Sequence, residues 1–146
     1  MAVDESFITQ FEVYTGKATQ DSSFTLGENV MLHLTESYMQ SHRLIVFDNF
    51  FTSYNLMKSL NERGLFEVGT LRTNRMGLPG MIKKQDKLQW GQFMFKTKGC
   101  VPAIKWRDNK TVTILSIYHS PKDVTFVNRK NRDGTSSEVF CPKAVS

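Results

Sequence analysis

The segment Arg43–Leu60, RLIVFDNFFTSYNLMKSL, constrains the fold more than any other stretch, because its periodicity changes at one residue. Leu44 to Phe47 is a continuous apolar run of strand length, the pattern of a strand covered on both faces in a parallel or mixed sheet. Beyond Asp48 the apolar residues Leu56, Met57 and Leu60 take up helical spacing. Thr52 or Ser53 can cap that helix, and Arg63-Gly64 is a fitting carboxyl-terminal signature. Leu65–Leu71, LFEVGTL, then reads as a further strand. This is an α/β pattern, and in such sheets ligands meet the carboxyl ends of strands. Asp48 stands at such an end. Its carboxylate could cap the helix by accepting from unbonded backbone amides. It could equally bind a hard divalent cation such as Mg²⁺, held rigidly by the strand. The local pattern leaves both readings open, since one carboxylate does not make a two-metal centre.

Upstream, Phe7–Tyr14, FITQFEVY, is rich in β-branched and aromatic residues and ends at Thr15-Gly16-Lys17, which predicts a strand running into a turn. Between Gly27 and Gln40 the residues Val30, Met31, Leu34 and Tyr38 recur at helical spacing, with Glu28 in the first turn, where a negative charge complements the helix dipole. Beyond about Arg72 the grammar changes. Gly77, Pro79 and Gly80 mark a break, and LQWGQFMF, VPAIKW and TVTILSIY follow as short strands with no convincing helix. NRKNRDG, Asn128 to Gly134, reads as an exposed basic loop.

Charge changes at the same boundary. Residues 1–71 hold four Lys/Arg against nine Asp/Glu, a balance of −5, whereas residues 72–146 hold fifteen against five, a balance of +10. A basic half of this kind suits a polyanion such as nucleic acid, or else a solvated surface. Arg72 and Arg75, three apart after a strand, could reach phosphates. Lys83, Lys84, Lys87, Lys96, Lys98, Lys105 and Arg107 interleave with Trp90, Phe93, Phe95 and Trp106, a mixture fitted to a groove along a DNA backbone or to a small aromatic β-core. No run approaches the roughly 18 apolar residues of a membrane span, and the amino terminus lacks the layout of a secretory signal, so an intracellular protein with no membrane partner is expected. Cys100, Cys141 and the three histidines lack ligand spacing, which argues against zinc or a disulfide framework.

The motifs FEVYTGK at Phe11–Lys17, DNFFTSYNL at Asp48–Leu56, GTLRTNR with GLP at Gly69–Pro79, IKWRDNKTVTILSIYH at Ile104–His119 and CPKAV at Cys141–Val145 occur in one order along nearly the whole chain. In this combination the chain resembles the catalytic region of piggyBac-type DNA transposases. The resemblance implies a ribonuclease-H-like α/β fold in which three aspartates bind two Mg²⁺ ions, interrupted by a β-rich basic insertion domain. It implies Asp48 as the second catalytic aspartate and metal ligand, and Arg72 and Arg75 as a basic pair that handles DNA. It also implies double-stranded DNA partners (transposon ends and TTAA-type targets), a homodimer in the full-length parent and a nuclear location.

The expected organisation is a partial ribonuclease-H-like core at 1–71, the insertion at 72–140, with Lys83, Lys84, Lys105 and Arg107 as further DNA contacts, and the start of a truncated return to the core at 141–146. Two departures bear on activity. The family's third aspartate follows a GGVD-like motif beyond the segment matching CPKAV, and the sequence stops at Ser146. The first aspartate's register lands on Ala2, so Asp4 takes that metal-binding role only with two residues fewer before Tyr14. The expectation is a fragment of a DNA cleavage and strand-transfer enzyme, catalytically incomplete alone; the alternative is a transposon-derived, non-catalytic DNA-binding or interaction protein.

Overall fold

A computed structural model of the chain describes residues 2–4, 7–11, 13, 23–72 and 88–145. Two short strands, β1 (Ala2–Asp4) and β2 (Phe7–Gln10), pair antiparallel as a separate two-stranded sheet. The turn expected at Thr15–Lys17 lies outside the described residues. Helix α1 (Leu26–Leu34) begins at a complete capping box: the Thr25 hydroxyl accepts from the Glu28 amide, and the Glu28 carboxylate accepts from the Thr25 amide at 2.6 Å. The helix is shorter than the periodicity predicts. Thr35 turns its hydroxyl back onto the Met31 and Leu32 carbonyls, only a short 3-10 turn (Glu36–Tyr38) follows, and Gln40 and His42 adopt positive φ.

Strand β3 (Leu44–Phe47), helix α2 (Tyr54–Glu62) and strand β4 (Phe66–Thr70) form the strand–helix–strand unit that the sequence predicts. The strands pair in parallel, Leu44 with Phe66 through Phe47 with Gly69. Parallel pairing requires a crossover, and α2 supplies it. Arg63 and Gly64 end α2 as expected. Gly64 takes φ +75°, and the amides of Gly64 and Leu65 donate to the Asn61 and Leu60 carbonyls, a Schellman pattern that satisfies groups the helix end leaves unpaired.

Strands β5 (Phe93–Lys98), β6 (Val101–Arg107) and β7 (Thr111–Ser116) follow as antiparallel neighbours. They do not stand apart from the first half. β7 pairs antiparallel with β4, Val68 with Ser116 through Thr70 with Ile114, giving one mixed five-stranded sheet in the order β3-β4-β7-β6-β5. The division expected at residues 71 and 72 therefore falls inside a continuous hydrogen-bonded sheet. Finally β8 (Val124–Lys130) and β9 (Ser136–Pro142) form a hairpin. The basic segment read as a loop, Asn128–Gly134, is half strand: its first three residues close β8, and Gly134 turns the chain at φ +86°.

The sheet has two unlike faces. Leu56, Met57 and Leu60 of α2 pack with Leu32, Phe47, Leu65, Leu71, Val101, Ala103 and Leu115 into the main core. On the opposite face Ala144 and Val145 cover Ile104 and Ile114, and the hairpin lays Val139 and Cys141 against Trp106. The Trp106 ring nitrogen donates to the Phe140 carbonyl at 2.8 Å, and Arg129 pairs with Asp108 at 3.0 Å while lying over the Trp106 ring. This cover stops short of β3. By register Leu44 and Val46 share the hairpin's face, yet they are 41% and 73% exposed, so among the described residues β3 is a half-covered edge strand and not the doubly covered strand its apolar run predicts. No helix among the described residues is long and apolar enough to cross a membrane.

Glu67 on β4 is an anomaly within the main core. It is 0% exposed, and neither carboxyl oxygen finds a partner among the described residues. Burial pushes its pKa up to about 8. The folded chain then holds a proton that the unfolded chain releases near the ordinary glutamate value. The contribution of Glu67 to stability is accordingly greatest below about pH 4.5, falls by up to about 1.4 kcal/mol per pH unit as pH rises, and levels off above about 8. Urea denaturation at pH 5, 6.5 and 8 should show this decline, and Glu67→Gln should flatten it.

Candidate functional site

Because β3 and β4 run parallel, their carboxyl ends open on one edge of the sheet, and β6, two antiparallel steps from β4, ends there as well. Asp48 follows β3 on this edge, Arg72 follows β4, and Arg107 closes β6. Three strand spacings of about 4.8 Å separate β3 from β6, so the edge spans about 14 Å from the Asp48 strand to the Arg107 strand.

The Asp48 carboxylate does not cap α2. Ser53 does, its hydroxyl accepting from the Leu56 amide at 3.1 Å. Asp48 instead uses its backbone carbonyl, which receives the amides of Phe51 and Thr52, both at 3.1 Å, and the Thr52 hydroxyl at 2.9 Å. Its side chain is exposed and accepts from the adjacent Asn49 amide at 2.6 Å through one oxygen. Of the two caps the sequence offers, Thr52 and Ser53, it is Ser53 that starts the helix, which leaves Asp48 to present a carboxylate to solvent from a tied-down backbone.

The turn from Asp48 to Ser53 is braced on three sides. The Arg72 Nε donates to the Asn49 side-chain oxygen at 2.9 Å, a bond across the ends of the two parallel strands. Behind it, Thr52 is fully buried against Gly69. A Cβ built on Gly69 would overlap the Thr52 hydroxyl and lie 2.9 Å from its methyl carbon, so this strand position admits only glycine without movement. On the third side the Ser53 hydroxyl donates to Glu28, the capping-box residue of α1, while Phe50 and Phe51 lie beside Gly27. The sequence placed Glu28 only near a helix dipole. Its capping-box spacing from Thr25 was readable, its bond to Ser53 was not.

The other expected site residues divide. Arg107 is half-buried and donates to the Thr111 hydroxyl at 3.2 Å, with its strand end at the open edge. Lys105 is 3% exposed on the helix-bearing face, a placement at odds with direct phosphate contact, because its side chain alternates inward beside Thr113. Asp4 ends β1 in the separate hairpin and joins no strand of the sheet that carries Asp48. Arg75, Lys83 and Lys84 lie outside the described residues. Among the described residues no group of three or more His, Cys, Asp or Glu gathers to hold a metal ion. Asp48 is hard, exposed and oxygen-bearing, which suits one ligand of a Mg²⁺ ion that keeps much of its water shell. It does not by itself suit a pair of cations, whose mutual repulsion needs several carboxylates.

The whole chain, residues 1–146, matches the family model described as Transposase IS4. It is 28% identical over 121 residues to PiggyBac transposable element-derived protein 3 of Homo sapiens, covering 75% of this chain and 20% of that protein. It is equally similar to the Chimeric ERCC6-PGBD3 protein of Homo sapiens, of which the match covers 11%. Among solved structures it is similar to a piggyBac transposase in a synaptic complex with hairpin DNA, at 30% identity and a TM-score of 0.65, covering 83% of this chain and 25% of that one. The chain thus spans a fifth or less of the curated relatives it matches.

The bracing makes Gly69→Ala a direct probe of the Asp48 turn. The added methyl must displace Thr52, and with it the hydroxyl that holds the Asp48 carbonyl. A loss of about 1–3 kcal/mol is expected by chemical denaturation, with the largest amide shifts at Asn49, Phe51 and Thr52.

Proposed function

The chain belongs to the Transposase IS4 family, and from that premise we propose that it is the Asp48-bearing part of a piggyBac-like DNA transposase core, ribonuclease-H-like in plan. The observation that carries this reading is Asp48 itself: an exposed carboxylate at a strand's carboxyl end, its capping role taken over by Ser53. The similarity to a piggyBac transposase solved with hairpin DNA supports DNA as the partner class.

In this reading Asp48 is one carboxylate ligand of Mg²⁺, with Asp4 the second where β1 is brought alongside β3. The chemistry that Mg²⁺ supplies when bound is activation of a water or 3′-hydroxyl oxygen and neutralisation of charge on the phosphodiester. Asp48 contributes a carboxylate carried on a fixed backbone, because its carbonyl accepts from the Phe51 and Thr52 amides and the Thr52 hydroxyl. Arg72 uses Nε on Asn49 and keeps its terminal nitrogens for a phosphate at the same edge. Arg107 extends the basic edge along the DNA backbone, with Arg75, Lys83 and Lys84 as further contacts. TTAA-type targets, a homodimer of the longer parent and a nuclear location belong to the same proposal.

Asp48 and Asp4 together do not furnish the several carboxylates of a two-metal centre, so the 146-residue chain by itself is expected to bind DNA and not to transfer strands. Duplex binding should weaken with salt, and replacing Arg72 and Arg107 together by Ala should weaken it further and lower the salt slope by about two. Asp48→Ala should leave that binding unchanged. Incubation of an end-containing duplex with Mg²⁺ should yield no nick; a nick abolished by Asp48→Ala would overturn the expectation of incompleteness. Binding indifferent to both arginines would remove the edge from the DNA path.

A further inference from the structure

We propose that Glu28 is the positioning residue for the Asp48 turn, through a carboxylate whose two oxygens are divided between two helix starts. This rests on the reading of Asp48 as a functional carboxylate. Glu28 is 5% exposed. One oxygen receives the Thr25 amide at 2.6 Å and completes the capping box of α1; the other receives the hydroxyl proton of Ser53, 25 residues further along the chain. With its proton committed to Glu28, the Ser53 oxygen keeps its lone pairs for the Leu56 amide, which orients the cap of α2. Asp48 is joined to Ser53 through a turn whose Phe51 and Thr52 amides return to the Asp48 carbonyl, so the far end of that turn is set by Glu28. Phe50 and Phe51 lying beside Gly27 make the same connection by packing. Glu28 reaches no reacting atom. It acts by fixing where the Asp48 backbone sits relative to α1.

The test is amide hydrogen exchange by NMR on the full 146-residue chain, comparing Asn49, Phe51 and Thr52 with Ala103 and Leu115 of the β6–β7 ladder. Glu28→Ala should speed exchange in the turn roughly fivefold or more relative to the ladder. Glu28→Gln should restore most of the protection, since its carbonyl can accept from Thr25 while its NH₂ donates to Ser53. Ser53→Ala should reproduce the turn-specific effect, and adding it to Glu28→Ala should change little further, because the two share one linkage. Equal acceleration of turn and ladder in Glu28→Ala would reduce Glu28 to general stability and overturn the proposal. Should that variant fail to fold, an unchanged turn in Ser53→Ala would overturn it instead. Mn²⁺ line broadening in the unsubstituted chain tests the Asp48 reading separately. Broadening centred on Asp48 and Asn49 supports a metal ligand there; its absence removes the metal reading, while the exchange data alone decide the role of Glu28.

Discussion

Parallel pairing of Leu44–Phe47 with Phe66–Thr70 is the constraint on which the rest of the molecule depends. Two parallel strands cannot be joined by a tight turn, so the intervening chain must cross the sheet, and α2 with its Leu56, Met57 and Leu60 stripe is the crossover. The same pairing aligns the carboxyl ends of both strands, which brings Asn49 within a hydrogen bond of Arg72. It also sets Gly69 beside Phe47, where the missing side chain leaves room for Thr52. The main core and the candidate site follow from one register.

The site is braced by polar bonds drawn from distant parts of the chain, whereas the core beneath it is largely apolar, with Glu67 buried among the α2 contacts. Glu28, Ser53, Thr52 and Asn49 each satisfy a specific donor or acceptor, and together they hold one exposed carboxylate steady. Glu67 satisfies nothing among the described residues and stays neutral through burial. The contrast follows from cost: a polar group at a helix start finds backbone partners, while one in mid-strand facing the core loses its water and gains nothing in return.

Much of this was legible along the chain. The strand at Leu65–Leu71, the helical stripe after Ser53, the Arg63-Gly64 stop and the strands beginning at Val101 and Thr111 appear close to where local pattern places them, because turn chemistry and periodicity act over a few residues, whereas the strand expected over LQWGQFMF starts only at Phe93. Lys105 shows the limit. In sequence it belongs to a basic, aromatic stretch suited to DNA; strand alternation turns it inward beside Thr113. Val46 shows the converse: an apolar run reads as doubly covered, but the hairpin's cover ends before β3. Neither outcome depends on local composition. Both depend on which strands become neighbours.

By itself the sequence determined the strand–helix–strand unit around Asp48, the choice of Thr52 or Ser53 as its cap, the family and the candidacy of Asp48, since these rest on residue spacing and on motifs contiguous in the chain. Only the tertiary structure decided that the second half joins the first in one sheet through β4 and β7, and that the Asp48 side chain faces solvent and takes no part in the cap. It also decided that Glu28 reaches across 25 residues to hold that cap. The physical reason is the range of the forces: propensity and turn geometry act between near neighbours, whereas strand pairing and a buried hydrogen bond form between groups that only the folded chain brings together.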